Sequence, residues 1–299
     1  MTRTGFIKSP LNYTGGKYKL LPDIFPAFIP NARRFVDLFA GGFNVGINAD
    51  AEEIFCNDQI TYLIGLFRYF RKTSLDEIMG TIYSRISEFR LSDTNEEGYK
   101  QLRIAYNQSP KPLDLFVLTC YSFNHQIRFN SKHQFNTPFG KERSAYNDSI
   151  ERNVYLFCSM LKEKNVFFST SDFSDFDFSD FDNRDFVYCD PPYLISTGSY
   201  NDGKRGFKDW TEREERVLLD LLDRLDKKGI RFALSNVFYH KGNANDLLIN
   251  WSERYRVMFL DKSYSNCSYH FKDRDSKTVE VLITNYEGGT KACQQMSLF

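Results

Sequence analysis

Four consecutive residues, Asp190-Pro191-Pro192-Tyr193, carry the clearest chemistry in the chain. They follow DFVYC (185–189), a run that reads as a buried strand. In open α/β sheets, ligands sit at the carboxyl ends of strands. Two prolines in succession fix the backbone and remove two N–H donors, so the loop presents only carbonyls and the Asp190 carboxylate. Such a surface accepts hydrogen bonds from an NH2 group. Tyr193 adds a flat face on which a planar ring can stack. The plain alternative is an Asp-Pro turn after a strand. These four residues would arise by chance in a chain of this size about once in a thousand.

The elements that must position this loop are legible from periodicity. RRFVDLFAGG (33–42) reads as a buried strand running into a glycine turn, and EEIFCND (52–58) as a second strand ending in Asp58. Apolar spacing of three and four then predicts helices in 60–89, around 96–107 and around 113–123. The segment 124–147 is polar and rich in Asn. NVFFST (165–170) and DFVYCD (185–190) return to strands. TEREERVLLDLLDRLDKKG (211–229) is a helix with a Thr211/Glu214 capping box and a closing Gly229. IRFALS, YRVMFL and TVEVLITNY are later strands. Strands alternating with helices predict an α/β fold with a doubly wound, mostly parallel sheet. The helical block interrupts that alternation as an insertion. The expected division is a discontinuous catalytic domain (1–60 and 151–286), an inserted module (61–150) and a loose tail (287–299).

Five motifs, in order, carry a resemblance: LNYTGGKYKLL (11–21), FVDLFAGG (35–42), FCND (55–58), FNHQIRFNSKHQFNTPFGK (123–141) and DFVYCDPPY (185–193). Together they resemble the Dam-like (D12) class of adenine-N6 DNA methyltransferases over about 8–286. The resemblance implies the sheet of an S-adenosylmethionine-dependent methyltransferase, with an inserted helical target-recognition domain carrying a β-hairpin. It implies that Tyr13, Gly16 and Lys17 meet the cofactor, Lys17 through the cofactor's carboxylate, and that Asp37, Phe39 and Gly41 line its methionine end. Asp172 would meet its adenine amine, with the rest of 171–186 a solvated loop. Asp58 is placed to take two ribose hydroxyls or, as plainly, to cap a helix. In the hairpin, Asn124, Gln126, Arg128, Asn130, Gln134 and Asn136 suit base edges, Arg128 matching the family's guanine reader. A polar loop held by Asn turns is the alternative. Lys132, Lys141 and Arg143 suit phosphates, and the basic loop 262–277 is a further backbone grip.

The same residues suit direct methyl transfer. Asp190 and the Pro191 carbonyl would accept both N–H groups of adenine N6, with Pro192 holding the loop rigid. The nitrogen lone pair would then point at the cofactor methyl. The base would be flipped out of the duplex onto Tyr193. No Pro-Cys nucleophile of the cytosine-C5 kind is present. Phe43 stands where many relatives continue the glycine run, a departure that bears on cofactor affinity. Two others bear on the site read: Asn12 stands where GATC-reading relatives often have Lys, and His125-Gln126 replaces their Gly-Leu. GATC or another GA-containing site is expected.

Composition bounds the rest. The 299 residues carry 39 basic and 39 acidic side chains. Balance does not exclude a polyanion, because residues 1–34 hold six basic residues against one acid. The absence of any run of 18 apolar residues excludes a membrane-spanning helix, and no signal peptide is expected. Six Cys far apart, with no C-x-x-C pair, argue against a metal site and fit a reducing cytoplasm. The expected partner is duplex DNA, with a cognate restriction endonuclease acting separately, in a bacterial or phage-infected cell. Gln295-Met296-Ser297-Leu298-Phe299 resembles the peptide that docks bacterial replication and repair proteins in the sliding clamp; a frayed terminus is the alternative. Two other functions are open: N-methylation of RNA or protein Gln, and a DNA-binding module without turnover. Relatives with the first activity usually carry Asn in place of Asp190.

Overall fold

The computed structural model describes residues 5–13, 15–195, 210–260 and 278–287. The clamp-like peptide, the basic loop 262–277 and all of the tail beyond residue 287 lie outside the described residues.

One sheet organises the molecule. Its strands are β1 (Ala32–Asp37), β2 (Ala51–Asn57), β3 (Val166–Ser169), β4 (Phe186–Cys189), β5 (Arg231–His240), the two-residue β6 (Asn243–Ala244), β7 (Arg256–Phe259) and β8 (Thr278–Thr284). Their order is β3-β2-β1-β4-β5-β8-β7, with β6 paired to β5. The five strands from β3 to β5 run parallel. The β8 strand is antiparallel to both β5 and β7. Chain order runs outward from β1 through β2 to β3, then resumes on the other side of β1 with β4. The switch point is therefore the crevice between the carboxyl ends of β1 and β4, where such sheets bind ligands. Asp37 ends β1, and Asp190 follows β4 directly. This is the α/β architecture the alternation predicts.

Helices cover both faces. After the short α1 (Leu21–Ile24), the helices α2 (Thr61–Lys72), α3 (Leu75–Glu88), α4 (Glu96–Gln108), α5 (Pro112–Tyr121) and α6 (Asp148–Glu163) all lie between β2 and β3. Every residue of α5 from Leu113 to Tyr121 is buried. A helix apolar all round needs neighbours on every side, and α2, α3 and α4 each pack on it. The opposite face is covered by α7 (Glu212–Lys227) and α8 (Asp246–Ser252). Thr211 and Glu214 form the expected capping box, and Gly229 ends the turn with φ +74°.

The stretch 171–186 departs from the solvated loop expected of it. Phe173, Phe178 and Phe181 are buried in the core on the α7 face. Its aspartates hold turns instead: Asp172 accepts Ser174 N–H, Asp177 accepts Ser179 N–H and Asp182 accepts Arg184 N–H. Phenylalanine at every second or third place buries enough apolar area to pin an irregular segment, while short acids satisfy its backbone. Counting acids alone hid that.

Candidate active site and recognition hairpin

The crevice gathers residues from four parts of the chain. Lys17 Nζ lies 3.0 Å from Asp190 Oδ1 and donates to the Gly15 carbonyl at 3.1 Å. The Tyr193 hydroxyl donates to the same Asp190 oxygen at 2.9 Å, and Lys17 Nζ sits 5.0 Å from the Tyr193 ring centroid. Lys17, expected to face the cofactor's carboxylate, thus stands on Asp190 here. Burial raises the Asp190 pKa, and Lys17 and Tyr193 pull it back toward the charged form.

Two more carboxylates line the same crevice. Asp37 is fully buried and accepts the Gly46 N–H at 2.9 Å. Burial pushes its pKa up to about 8; the Gly46 N–H opposes the shift, and Asp190 and Asp58 add to it. Asp58 accepts Gly41 N–H at 2.8 Å and Ile60 N–H at 2.9 Å. It therefore ties the glycine turn to Ile60, the residue ahead of α2. Asp58 is not the helix cap, because Ile60 holds the N-cap position and no side chain caps the helix. Each Asp58 oxygen keeps a lone pair for a hydroxyl. Burial raises its pKa as well.

The turn after β1 needs its glycine. Gly41 has φ +47°, and a Cβ there would lie 2.9 Å from the Tyr13 ring. Tyr13 thus packs on the glycine turn itself. Phe43 also has a left-handed backbone, φ +58°. That costs about 1 kcal/mol in a non-glycine residue. Its fully buried ring, packed between Phe67 and Phe157, offsets the cost. Phe39 is half-buried beside this turn, and Asp172 stands after β3.

Sequence reading passed over Asn57 and Glu280. Asn57 is buried and donates to the carbonyls of Leu38 and Ser171, both at 3.0 Å, while accepting from Ser169 and Ser171. It pins together the loops after β1, β2 and β3. An Asn ending a strand in front of an acid was the available signal. Glu280, half-buried on β8, feels the charges of Lys17 and Asp190. It sits opposite a register shift between Val237 and Tyr239. Nothing local in the sequence marks it, because long-range pairing brings it in.

Residues 122–139 form a hairpin held by two isolated bridges, Ser122 to Phe139 and Phe129 to Phe135, rather than by two full strands. One face is anchored. Phe129 stacks on Tyr62 of α2 at 4.4 Å, and Asn107 of α4 grips the Phe135 backbone at 2.8 and 3.0 Å. Asn130 turns its side chain inward, accepting Lys132 and Gln134 N–H and donating to Gln134 Oε1. That is the Asn-turn alternative, realised at this one position. Asn124, Lys132, Gln134, Asn136, Lys141 and Arg143 are exposed, and Gln126 and Arg128 are half-buried. Phe123, 40% exposed, carries the Arg143 guanidinium 5.0 Å over its ring. The hairpin also touches the crevice loop, as Asn12 Nδ2 donates to the Asn124 carbonyl at 3.1 Å.

A switch-point crevice with an Asp-Pro-Pro-Tyr loop, a glycine turn and acids after successive parallel strands defines an α/β fold of the S-adenosylmethionine-dependent methyltransferase type. Within that class, the chain belongs to the D12 class N6 adenine-specific DNA methyltransferase family, which matches residues 13–273. The chain is 53% identical over 286 residues to the type II methyltransferase M.FokI of Planomicrobium okeanokoites, covering 96% of this chain and 44% of that protein. It is 48% identical over 287 residues to modification methylase StsI of Streptococcus sanguinis, covering 95% and 44%. With the DNA adenine methylase of Escherichia coli K12 it shares 28% over 284 residues, covering 93% and 95%. The chain therefore spans less than half the length of the first two relatives. The family read from the five motifs is the family found.

Proposed function

We propose that this chain transfers a methyl group from S-adenosylmethionine to adenine N6 within a short duplex DNA sequence. One observation carries the reading most directly. Asp190 stands at the switch point with Tyr193 and Lys17 on one carboxylate oxygen, leaving the other available. The cofactor fits the charge of the crevice. Three buried or part-buried acids, Asp37, Asp58 and Asp190, face one buried cation, Lys17, so the pocket favours a ligand bearing a sulfonium and an ammonium group. Gly41 lets the Tyr13 ring pack directly on the turn, where a Cβ would clash with it. When bound, the cofactor supplies an electrophilic methyl on a positively charged sulfur.

The chain's own residues do the remainder. Asp190 and the Pro191 carbonyl accept hydrogen bonds from the two N6–H groups, which draws the nitrogen out of conjugation with the ring. The proton that N6 sheds on methylation leaves through the Asp190 carboxylate to solvent. Pro192 holds the loop rigid, and Tyr193 stacks on the flipped base. Lys17 steadies the Asp190 charge until substrate arrives. Tyr13, Gly16, Asp37, Phe39, Gly41, Asp58 and Asp172 bind and orient the donor. Positioning and electrostatics suffice, and no enzyme nucleophile is required.

Residues 61–150 form the target-recognition insert in this reading. Their support is the hairpin's anchored inner face and its exposed outer face. Arg128, Gln126, Asn124 and Asn136 read bases, while Lys132, Lys141 and Arg143 meet phosphates. Asn130 shapes the tip. The site contains GA, with GATC one case. Service in restriction and modification is supported by the names of two relatives, type II methyltransferase M.FokI and modification methylase StsI; a cognate endonuclease acting separately is part of the proposal.

The test is transfer from labelled S-adenosylmethionine to duplex DNA, single-stranded DNA and RNA, followed by digestion to nucleosides. Label in N6-methyladenine from duplex is expected. Asp190→Ala should reduce transfer at least about a hundredfold and leave cofactor and duplex binding within a few-fold of wild type. Label confined to RNA or protein, or an active Asp190→Ala, would refute the assignment.

A further inference from the structure

Trp210 lies just ahead of α7 and is 8% exposed. Its ring meets Phe39 edge-on at 5.6 Å and Phe173 at 5.5 Å, and Phe39 lies 5.3 Å from Phe173. Three rings from three loops thus close a triangle beside the crevice. Phe39 belongs to the turn after β1, and Phe173 follows Asp172, after β3. Of the three, Phe39 is the half-buried one. It belongs to the glycine turn that borders the crevice, and Trp210 contacts it from the buried cluster on the α7 face.

The indole is held by more than packing. Its N–H donates to Glu215 Oε2 at 2.7 Å. Glu215 is fully buried, and its other oxygen accepts Asn236 Nδ2 of β5 and Asn245 Nδ2 at the start of α8, both at 3.0 Å. An apolar residue filling this volume would spare the desolvation of a carboxylate. Three donors converging on one acid instead fix the indole, and with it the Phe39 ring that packs edge-on against it.

We propose that Trp210 is a positioning residue of the cofactor pocket: anchored by Glu215, it holds Phe39 in place as an aromatic wall of the site that takes the methyl donor. The inference rests on the cofactor reading above and adds a residue to it. A purely structural tryptophan would affect stability alone, whereas a positioning one couples to the ligand.

The chain has two tryptophans. The other, Trp251, packs on Phe232 and Tyr255 with its N–H on Asp223. Trp251→Phe therefore leaves Trp210 as the sole indole emitter. Titrating this variant with S-adenosylhomocysteine should change the emission saturably, at the midpoint found by calorimetry. Trp210→Phe should raise the S-adenosylhomocysteine Kd and the donor KM roughly threefold to tenfold, with kcat at saturating donor and duplex affinity within about twofold. Unmoved emission with ligand bound would overturn the proposal, as would unchanged Kd and KM in folded Trp210→Phe. The emission arm needs no change at Trp210, so it stands even if that variant does not fold. Failure of wild type to bind S-adenosylhomocysteine at all would instead overturn the cofactor reading, and this inference with it.

Discussion

Asp37 shows how burial sets the protonation state of a carboxylate. Its pKa, pushed up to about 8, keeps it largely protonated at neutral pH. The ionisable groups in its field are Asp58, Asp190 and the buried thiols of Cys56 and Cys189, with Lys17 at the far side of Asp190. The native state binds a proton that the unfolded chain, with an ordinary carboxylate, releases near pH 4. Its contribution to stability therefore falls as pH rises from about 4 to about 8. A cationic ligand favours the charged form. Binding at pH 7 should thus expel about one proton, and affinity should rise with pH until about 8. Calorimetry in two buffers of unlike ionisation heat measures the release, which Asp37→Asn should abolish. Equal heats in both buffers would contradict this. The acid itself was legible in FVDLFAGG. Its protonation was not, because it depends on neighbours 21 and 153 positions away in sequence.

At the scale of elements, the hairpin separates two kinds of basic residue. Arg128 is half-buried near the tip, whereas Lys141 is exposed at the base. Arg128→Ala should cost about 1–3 kcal/mol on the cognate duplex and less on a scrambled one. Lys141→Ala should weaken both alike and lower the salt slope by about 1. Binding to both duplexes across a salt series distinguishes them, and equal losses for Arg128→Ala would remove it from base reading. Periodicity gave α2 to α5 and α7, since an amphipathic stripe is a local property, but α6 (Asp148–Glu163) and the short α8 (Asp246–Ser252) went unread. The hairpin was visible as a motif but not as two bridged arms, because its anchors, Tyr62 and Asn107, belong to other helices. The aromatic stretch 171–186 was misread for a related reason: charge is obvious in a sequence, whereas burial of the intervening rings requires the α7 face to be present.

For the whole molecule, the sheet order explains why motifs far apart in sequence converge. Residues at 13–17, 37–58 and 190–193 meet because β1 and β4 are neighbours across the switch point. The fold class followed from alternating strands and helices, while the antiparallel β8 that delivers Glu280 could not be read locally. The tail gives a separate expectation: removing Gln295–Phe299 should abolish sliding-clamp pull-down and spare transfer on short duplexes, and equal pull-down with and without those residues would end that idea. The central claim, sequence-specific adenine-N6 methylation, is tested most directly by expressing the chain in a host lacking adenine methylation and mapping N6-methyladenine by single-molecule sequencing. A single methylated motif containing GA is predicted. An unmethylated genome, from soluble protein that binds S-adenosylhomocysteine, would contradict it.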